Sequence, residues 1–236
     1  MNETAFASVL TERREIVRAE LAAIFPALDP AAVRSVPEVR AREGAAAGPT
    51  TKDGGSVPMT PVPASGDFVW EVGCGHGHFL TAYATAHPTQ VCIGVDIASD
   101  RIARARKKAE RARLMRLHFL RTEAALFLEA MPPTLRIGAV FVLFPDPWPK
   151  LRHHKHRVLQ PEFLQNLARR AAPGCRLHFR TDFEPYFREA RDTAATSLSW
   201  RLVDAPWPFE FETVFQSRAA DGYHSFIAEV RPVAGP

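Results

Sequence analysis

Trp70-Glu71-Val72-Gly73-Cys74-Gly75-His76-Gly77-His78-Phe79-Leu80 joins an apolar run to a segment with helical spacing, and Cys92-Ile93-Gly94-Val95-Asp96 follows about twenty residues past the loop. Glycines let a backbone turn tightly and approach a ligand, and the start of the following helix favours a polar or negative group. The dinucleotide fingerprint requires G-x-G-x-x-G. Here the glycines are Gly73, Gly75 and Gly77, and His78 follows, which weakens a pyrophosphate reading. An E-x-G-x-G-x-G loop with an acid before it suits S-adenosylmethionine instead. That cofactor carries a cationic amino group, which Glu71 is placed to neutralise. Asp96 ends the second strand, where a carboxylate accepts both ribose hydroxyls. Glu123, after a third strand, is a candidate for the adenine edge; a helix N-cap accounts for Glu123 or Thr122 nearly as well.

Working outward, strand and helix patterns alternate. Strands are expected over 68–72, 91–95, 117–120, 137–144, 176–181 and 223–230. Helices are expected from the glycine loop to about 86 and over 98–113, 123–130, 161–172 and 185–196. Such alternation argues a parallel-type sheet with helices on both faces, an α/β fold. Before it, apolar residues at helical spacing (Phe6, Leu10, Ile16, Val17, Leu21, Ile24) predict an N-terminal helix over 5–24, within a helical extension over 1–41. Residues 42–66 are rich in Gly, Pro, Ala and Thr and read as a flexible linker or surface loop. The main domain then covers 67–236.

A chain of 236 residues with 46% hydrophobic and 24% charged residues is ordinary for a soluble globular protein. No apolar run is long enough to span a membrane, and Met1-Asn2-Glu3-Thr4 does not resemble the start of a secretory signal. Cys74, Cys92 and Cys175 sit singly in apolar contexts, as reduced buried thiols of a cytoplasmic protein do. The formal charge is +4 with a pI near 9.2, and the cations are clustered. Arg101, Arg104, Arg106, Lys107, Lys108, Arg111 and Arg113 give one helix a cationic exterior, which a solvated helix face explains equally well.

The apolar run from Ile137 ends abruptly in Phe144-Pro145-Asp146-Pro147-Trp148-Pro149-Lys150-Leu151-Arg152-His153-His154-Lys155-His156-Arg157. Two prolines fix φ on either side of Asp146 and forbid helix continuation. One carboxylate is thus held at the end of a buried strand beside an aromatic ring and a basic block. In open α/β sheets ligands bind at the carboxyl ends of the strands. A base or cation docked there, with a phosphate polymer alongside, matches this chemistry. The histidines lack acidic or cysteine partners nearby, so no metal site is expected.

These residues closely resemble the bacterial tRNA (guanine-N7)-methyltransferase family over roughly 66–231. Thr181-Asp182-Phe183-Glu184-Pro185-Tyr186 is similar to the family's T-D-x-x-x-Y segment. Glu212-Thr213-Val214-Phe215-Gln216-Ser217-Arg218 is similar to its T-x-[FY]-E-x-[RK] segment, with Gln216 where the family usually has Glu. The resemblance implies a class I S-adenosylmethionine-dependent methyltransferase fold, with a mostly parallel seven-stranded sheet. It implies methyl transfer to N7 of guanine at variable-loop position 46 of tRNA. Glu71, Gly73, Gly75, Gly77, Asp96, Glu123 and Asp146 would line the cofactor pocket, with Asp146 also catalytic. Lys150, Asp182, Thr213, Val214, Phe215 and Gln216 would meet the guanine, and Arg152, Lys155 and Arg157 the RNA. The implied protein is cytoplasmic, a monomer or a homodimer, with tRNA as partner and neither metal nor membrane.

Overall fold

Five apolar segments pair as neighbours in one sheet, and their strand direction decides where ligands go. The computed structural model describes residues 3–25, 67–212, 216–219 and 222–232. The expected linker over 42–66 lies outside these residues. After α1 (Glu3–Ile24) come β1 (Phe68–Val72), α2 (His78–Ala86), β2 (Cys92–Asp96), α3 (Ser99–Arg111), β3 (Leu117–Arg121), α4 (Ala124–Ala130) and β4 (Ile137–Leu143). A 3₁₀ helix, Leu151–His156, precedes α5 (Pro161–Arg170), β5 (Ala171–Thr181), α6 (Glu184–Thr196), β6 (Trp200–Val203) and β7 (His224–Val230). The sheet order is β3-β2-β1-β4-β5-β7-β6. The first five strands run parallel; β7 is antiparallel to both β5 and β6. This is the seven-stranded, mostly parallel sheet that the family resemblance implied, closed at one edge by an antiparallel pair.

The strand order reverses between β1 and β4, which opens a crevice at their carboxyl ends. The central strands are buried from end to end, because helices cover both faces. On one face Phe68, Trp70 and Val72 pack with Val17 and Leu21 of α1, Phe127 of α4, Leu164 of α5 and Ala190 of α6. Trp70 stacks on Phe127 with ring centroids 4.8 Å apart. On the other face Val69 and Phe141 pack with Phe79, Leu80 and Tyr83 of α2 and Ile102, Ala105 and Ala109 of α3. The inward side of α3 is thus apolar, and most of its cations are left outward.

The short strand β6 is absent from the sequence reading. Only four residues long, it is wholly buried at Trp200 and partly exposed beyond it, so neither alternation nor a continuous apolar run marks it. Trp200 nevertheless anchors it, donating its indole N–H to the Leu164 carbonyl at 2.8 Å.

Where β1 turns into α2, Gly77 has φ of 68° and serves as the helix N-cap. A Cβ added there would stand 2.5 Å from the Phe119 ring and 2.9 Å from the Ala105 Cβ. A side chain at 77 meets both a backbone penalty and a steric one. Gly77→Ala should therefore lose about 2–4 kcal/mol of stability. Urea unfolding checks this, and a loss below about 0.5 kcal/mol would mean that β3 yields freely.

Candidate active site

Strand register gathers the polar residues on one edge. Val72 lies level with Val95 and Val142, Asp96 with Arg121, and Leu143 with Arg180. The antiparallel β7 starts at the same edge, with His224 opposite Thr181. The loops bearing Gly73 to Gly77, Asp96, Glu123, Asp146, Lys150, Asp182 and Gln216 therefore all open there.

Asp96 organises the glycine loop. One carboxylate oxygen accepts the Gly75 N–H at 3.0 Å and the other accepts the Ala98 N–H at 2.8 Å. Gly73 and Cys74 both donate to the Val95 carbonyl. Asp96 is buried, with Arg101 3.8 Å away. Each carboxylate oxygen offers more than one lone pair. Its bonds to the loop therefore leave acceptor capacity for a diol, and a structural duty has been added to the expected one.

Glu71 is buried beneath this loop. Desolvation pushes its carboxyl up to about 8, the Leu80 backbone N–H opposes this, nearby Asp96 adds to it and Lys108 lowers it. Its Oε2 has no hydrogen-bond partner, and neither has the buried Nζ of Lys108. Burial lowers the Lys108 pKa, opposed by Glu71. Beside these groups Gly73, Gly75 and Gly77 all hold left-handed φ, and a Cβ at Gly73 or Gly75 would meet nothing within 4 Å. An orphaned buried carboxylate oxygen next to open, side-chain-free backbone fits the cationic amino group and sugar of S-adenosylmethionine.

Glu123 occupies the N-cap position of α4, but its side chain makes no capping hydrogen bond. Its carboxylate instead takes Arg13 of α1 at 3.2 Å and is about half exposed. Thr122 is buried, and its N–H donates to the Asp96 carbonyl.

The loop after β4 is tightly held. Phe144 and Trp148 have φ of 49° and 44°, an uncommon backbone state for bulky residues, on either side of Pro145-Asp146-Pro147. Such strain persists only where the surroundings enforce it. Arg157 does so. Its Nε donates to the Pro147 carbonyl at 2.9 Å and its Nη2 to the Trp148 carbonyl at 3.3 Å. Its Nη1 pairs with Glu189 of α6, and its guanidinium lies 4.8 Å over the Tyr186 ring. Asp146 itself is exposed.

Arg157 therefore corrects the sequence reading: the residue is 2% exposed and faces inward, so it is not available to meet RNA. Lys150, Arg152 and Lys155 are exposed, as is Asp182. Trp148 sits against His156 and His153, with ring centroids 5.1 and 5.7 Å away. Gln216 donates to the Tyr223 hydroxyl at 3.1 Å. Thr213, Val214 and Phe215 lie outside the described residues. Cys74, Cys92 and Cys175 are buried and unpaired. Among the described residues no cluster of His, Cys, Asp and Glu is placed to hold a metal ion, and no helix is long and apolar enough to cross a membrane.

One group was missed. Arg180, buried in β5, forms a two-pronged pair with Glu210 at 2.6 and 2.8 Å. It stacks over Trp207 at 3.7 Å and Tyr223 at 4.9 Å, and its carbonyl accepts the Phe144 N–H at 2.8 Å. A strand in which Arg176, His178 and Arg180 alternate with apolar residues, directly before Thr181-Asp182, was the available signal. Beneath it His178 stacks on Phe141, and burial lowers its pKa to about 3, so it is neutral.

A family model described as "Putative methyltransferase" matches residues 65–213. A tRNA (guanine-N(7)-)-methyltransferase of Halorhodospira halophila is 32% identical over 70% of this chain and 75% of its own length. The chain belongs to the tRNA (guanine-N(7)-)-methyltransferase family. Its relative of the same name in Nitrosomonas europaea is 33% identical over 55% of this chain; the match spans 62% of that protein's length. The solved 16S rRNA methyltransferase KamB aligns with a TM-score of 0.52 at 21% identity, over 70% of this chain and 88% of that one. The fold is that of class I S-adenosylmethionine-dependent methyltransferases.

Two outcomes follow from these environments. Glu71 titrates near 8 in the fold and near 4.5 when unfolded, so folding takes up a proton between those values. Its contribution is full below pH 4.5 and is lost as pH rises through 8. The stability of Glu71→Gln relative to the parent should therefore rise with pH across that window, by up to about 1.4 kcal/mol per unit. Denaturant unfolding at two pH values checks this; a constant difference excludes a protonated Glu71. Arg157→Met leaves two carbonyls and Glu189 without their donor and should cost about 3 kcal/mol. Arg152→Met should stay within about 0.5 kcal/mol of the parent. Equal melting temperatures for the two variants would refute the clamp.

Proposed function

We propose that this protein transfers the methyl group of S-adenosylmethionine to N7 of guanine in tRNA, at variable-loop position 46. The observation that carries the reading is the Asp146 loop, locked by two prolines, two left-handed aromatic residues and a buried arginine at the mouth of the strand-edge crevice. When bound, the cofactor supplies a methyl carbon made electrophilic by its sulfonium. Guanine N7 already has a free lone pair in the major-groove pattern. No general base is needed, and the protein's work is alignment and exclusion of water.

Glu71 and Asp96 hold the amino and ribose ends from below. Asp146, fixed in place before the substrates arrive, favours positive charge on that side of the crevice as it passes towards the purine. Asp182 accepts from guanine N1–H and its exocyclic amine. Adenine presents a lone pair at N1 and lacks that amine, so the carboxylate rejects it. Lys150 donates to guanine O6 or to an adjacent phosphate. Trp148, flanked by two histidines, offers an aromatic face for a neighbouring base. In this reading the protein works in the cytoplasm on tRNA, as a monomer or a homodimer.

The test is to treat tRNA with the purified protein and S-adenosylmethionine and to map the modified base. Methyl groups at guanine N7 of the variable loop are expected; methylation of another atom or another position overturns the assignment. Asp146→Ala should slow single-turnover transfer at least about tenfold, the effect of losing one preorganised electrostatic partner. Because Asp146 is exposed, its melting temperature should stay close to the parent's. A full single-turnover rate in this variant removes Asp146 from the chemistry.

A further inference from the structure

The outward face of α3 has a use that the crevice does not absorb. Arg101 is drawn to Asp96, and Arg106 is spent on the Phe119 carbonyl and Glu20 of α1. Arg104, Lys107 and Arg111 are exposed and make no hydrogen bond or ion pair among the described residues. They lie three and four residues apart, so they share one helix face over about 10 Å. With Lys108 and the loop residues His76 and His78 they line a groove of about 400 Å³. Among the described residues no acid lines it. Burial lowers the His78 pKa, and Lys108 and then His76 add to this.

Three exposed cations along one open groove repel each other unless an anion joins them. Every residue lining the groove is Arg, Lys or His, a basic lining that suits a backbone of phosphates. Its position gives the anion a source. His76 and His78 flank Gly77 on the glycine loop, so the groove lies against the outer side of the cofactor loop. In the sheet, β2 and β3 stand on one side of β1, while β4 and the Lys150 to Lys155 segment that follows it stand on the other. The two exposed basic surfaces therefore flank the crevice.

We propose that the α3 groove, where Arg104, Lys107 and Arg111 stand exposed beside the Lys108 stem, His76 and His78, is a second docking site that grips backbone phosphates of the substrate RNA on the far side of the cofactor loop from Lys150, Arg152 and Lys155. This rests on the tRNA reading above. With both footholds engaged, RNA bridges the crevice and its target base is presented between them. The groove meets phosphates alone, so it sets affinity and orientation and carries no sequence preference.

The test uses the full chain and unmodified tRNA. The triple variant Arg104→Gln, Lys107→Gln, Arg111→Gln alters only exposed side chains and should melt with the parent and bind S-adenosylmethionine with unchanged affinity. Its tRNA affinity should fall at least about tenfold, and the slope of log affinity against log salt should shrink by about one for each phosphate that is no longer neutralised. Joined to Arg152→Gln and Lys155→Gln, the reductions should multiply, since the sites are separate. A photo-reactive group on Lys107→Cys should cross-link to tRNA. A triple variant with the parent's affinity and slope, or no adduct from position 107, overturns the site. The parent's methyl transfer to tRNA is scored in the same preparations. If the parent transfers and the triple variant binds normally, the groove alone is wrong; if the parent transfers nothing, the activity itself is wrong and the groove loses its ligand with it.

Discussion

A guanidinium cut off from water has to find its hydrogen-bond acceptors inside the protein, and this requirement at Arg157 shapes the reactive edge of the molecule. Two of its acceptors are the carbonyls of Pro147 and Trp148, and a third is the Glu189 carboxylate on α6. The ion cannot be satisfied unless the loop after β4 and the helix after β5 hold a fixed separation. Arg180 repeats the device from the other side, pairing with Glu210 while its carbonyl holds Phe144. The segment between Phe144 and Trp148 is fastened at both ends, and Asp146 is left projecting from a frame that has little freedom to adapt.

Charge is sorted by depth as well as by position. The acids Glu71 and Asp96 are buried at the crevice floor, where desolvation makes them sensitive to an incoming cation. The exposed cations lie outside, on α3 and on the segment after β4. On the proposed reading, a cationic cofactor and a polyanionic substrate would meet different depths of one edge.

The sheet centre was legible because parallel strands covered on both faces must be apolar throughout, and β1, β2 and β4 read that way. The glycine loop was legible because left-handed backbone next to a ligand leaves few alternatives to glycine. Direction and distance were not. Nothing in residues 224–230 states that β7 runs antiparallel, and β6 is too short to carry a pattern. Arg157 follows directly on a cationic segment and was grouped with it, because sequence reports charge but not whether a side chain turns inward. Glu123 met Arg13 from 110 residues away, a pairing that no local spacing encodes. The partnership of Arg180 with Glu210 and Trp207 was hidden for the same reason.

The four tryptophans fall into two optical environments. Trp70 and Trp200 are sealed in the core, one stacked on Phe127 and the other hydrogen-bonded to Leu164, so their emission is blue-shifted and blind to the surface. Trp148 and Trp207 are partly exposed, one against two histidine rings and the other under the Arg180 guanidinium. The native fluorescence of this chain thus combines one pair of indoles that reports the integrity of the core with a second pair within reach of solvent.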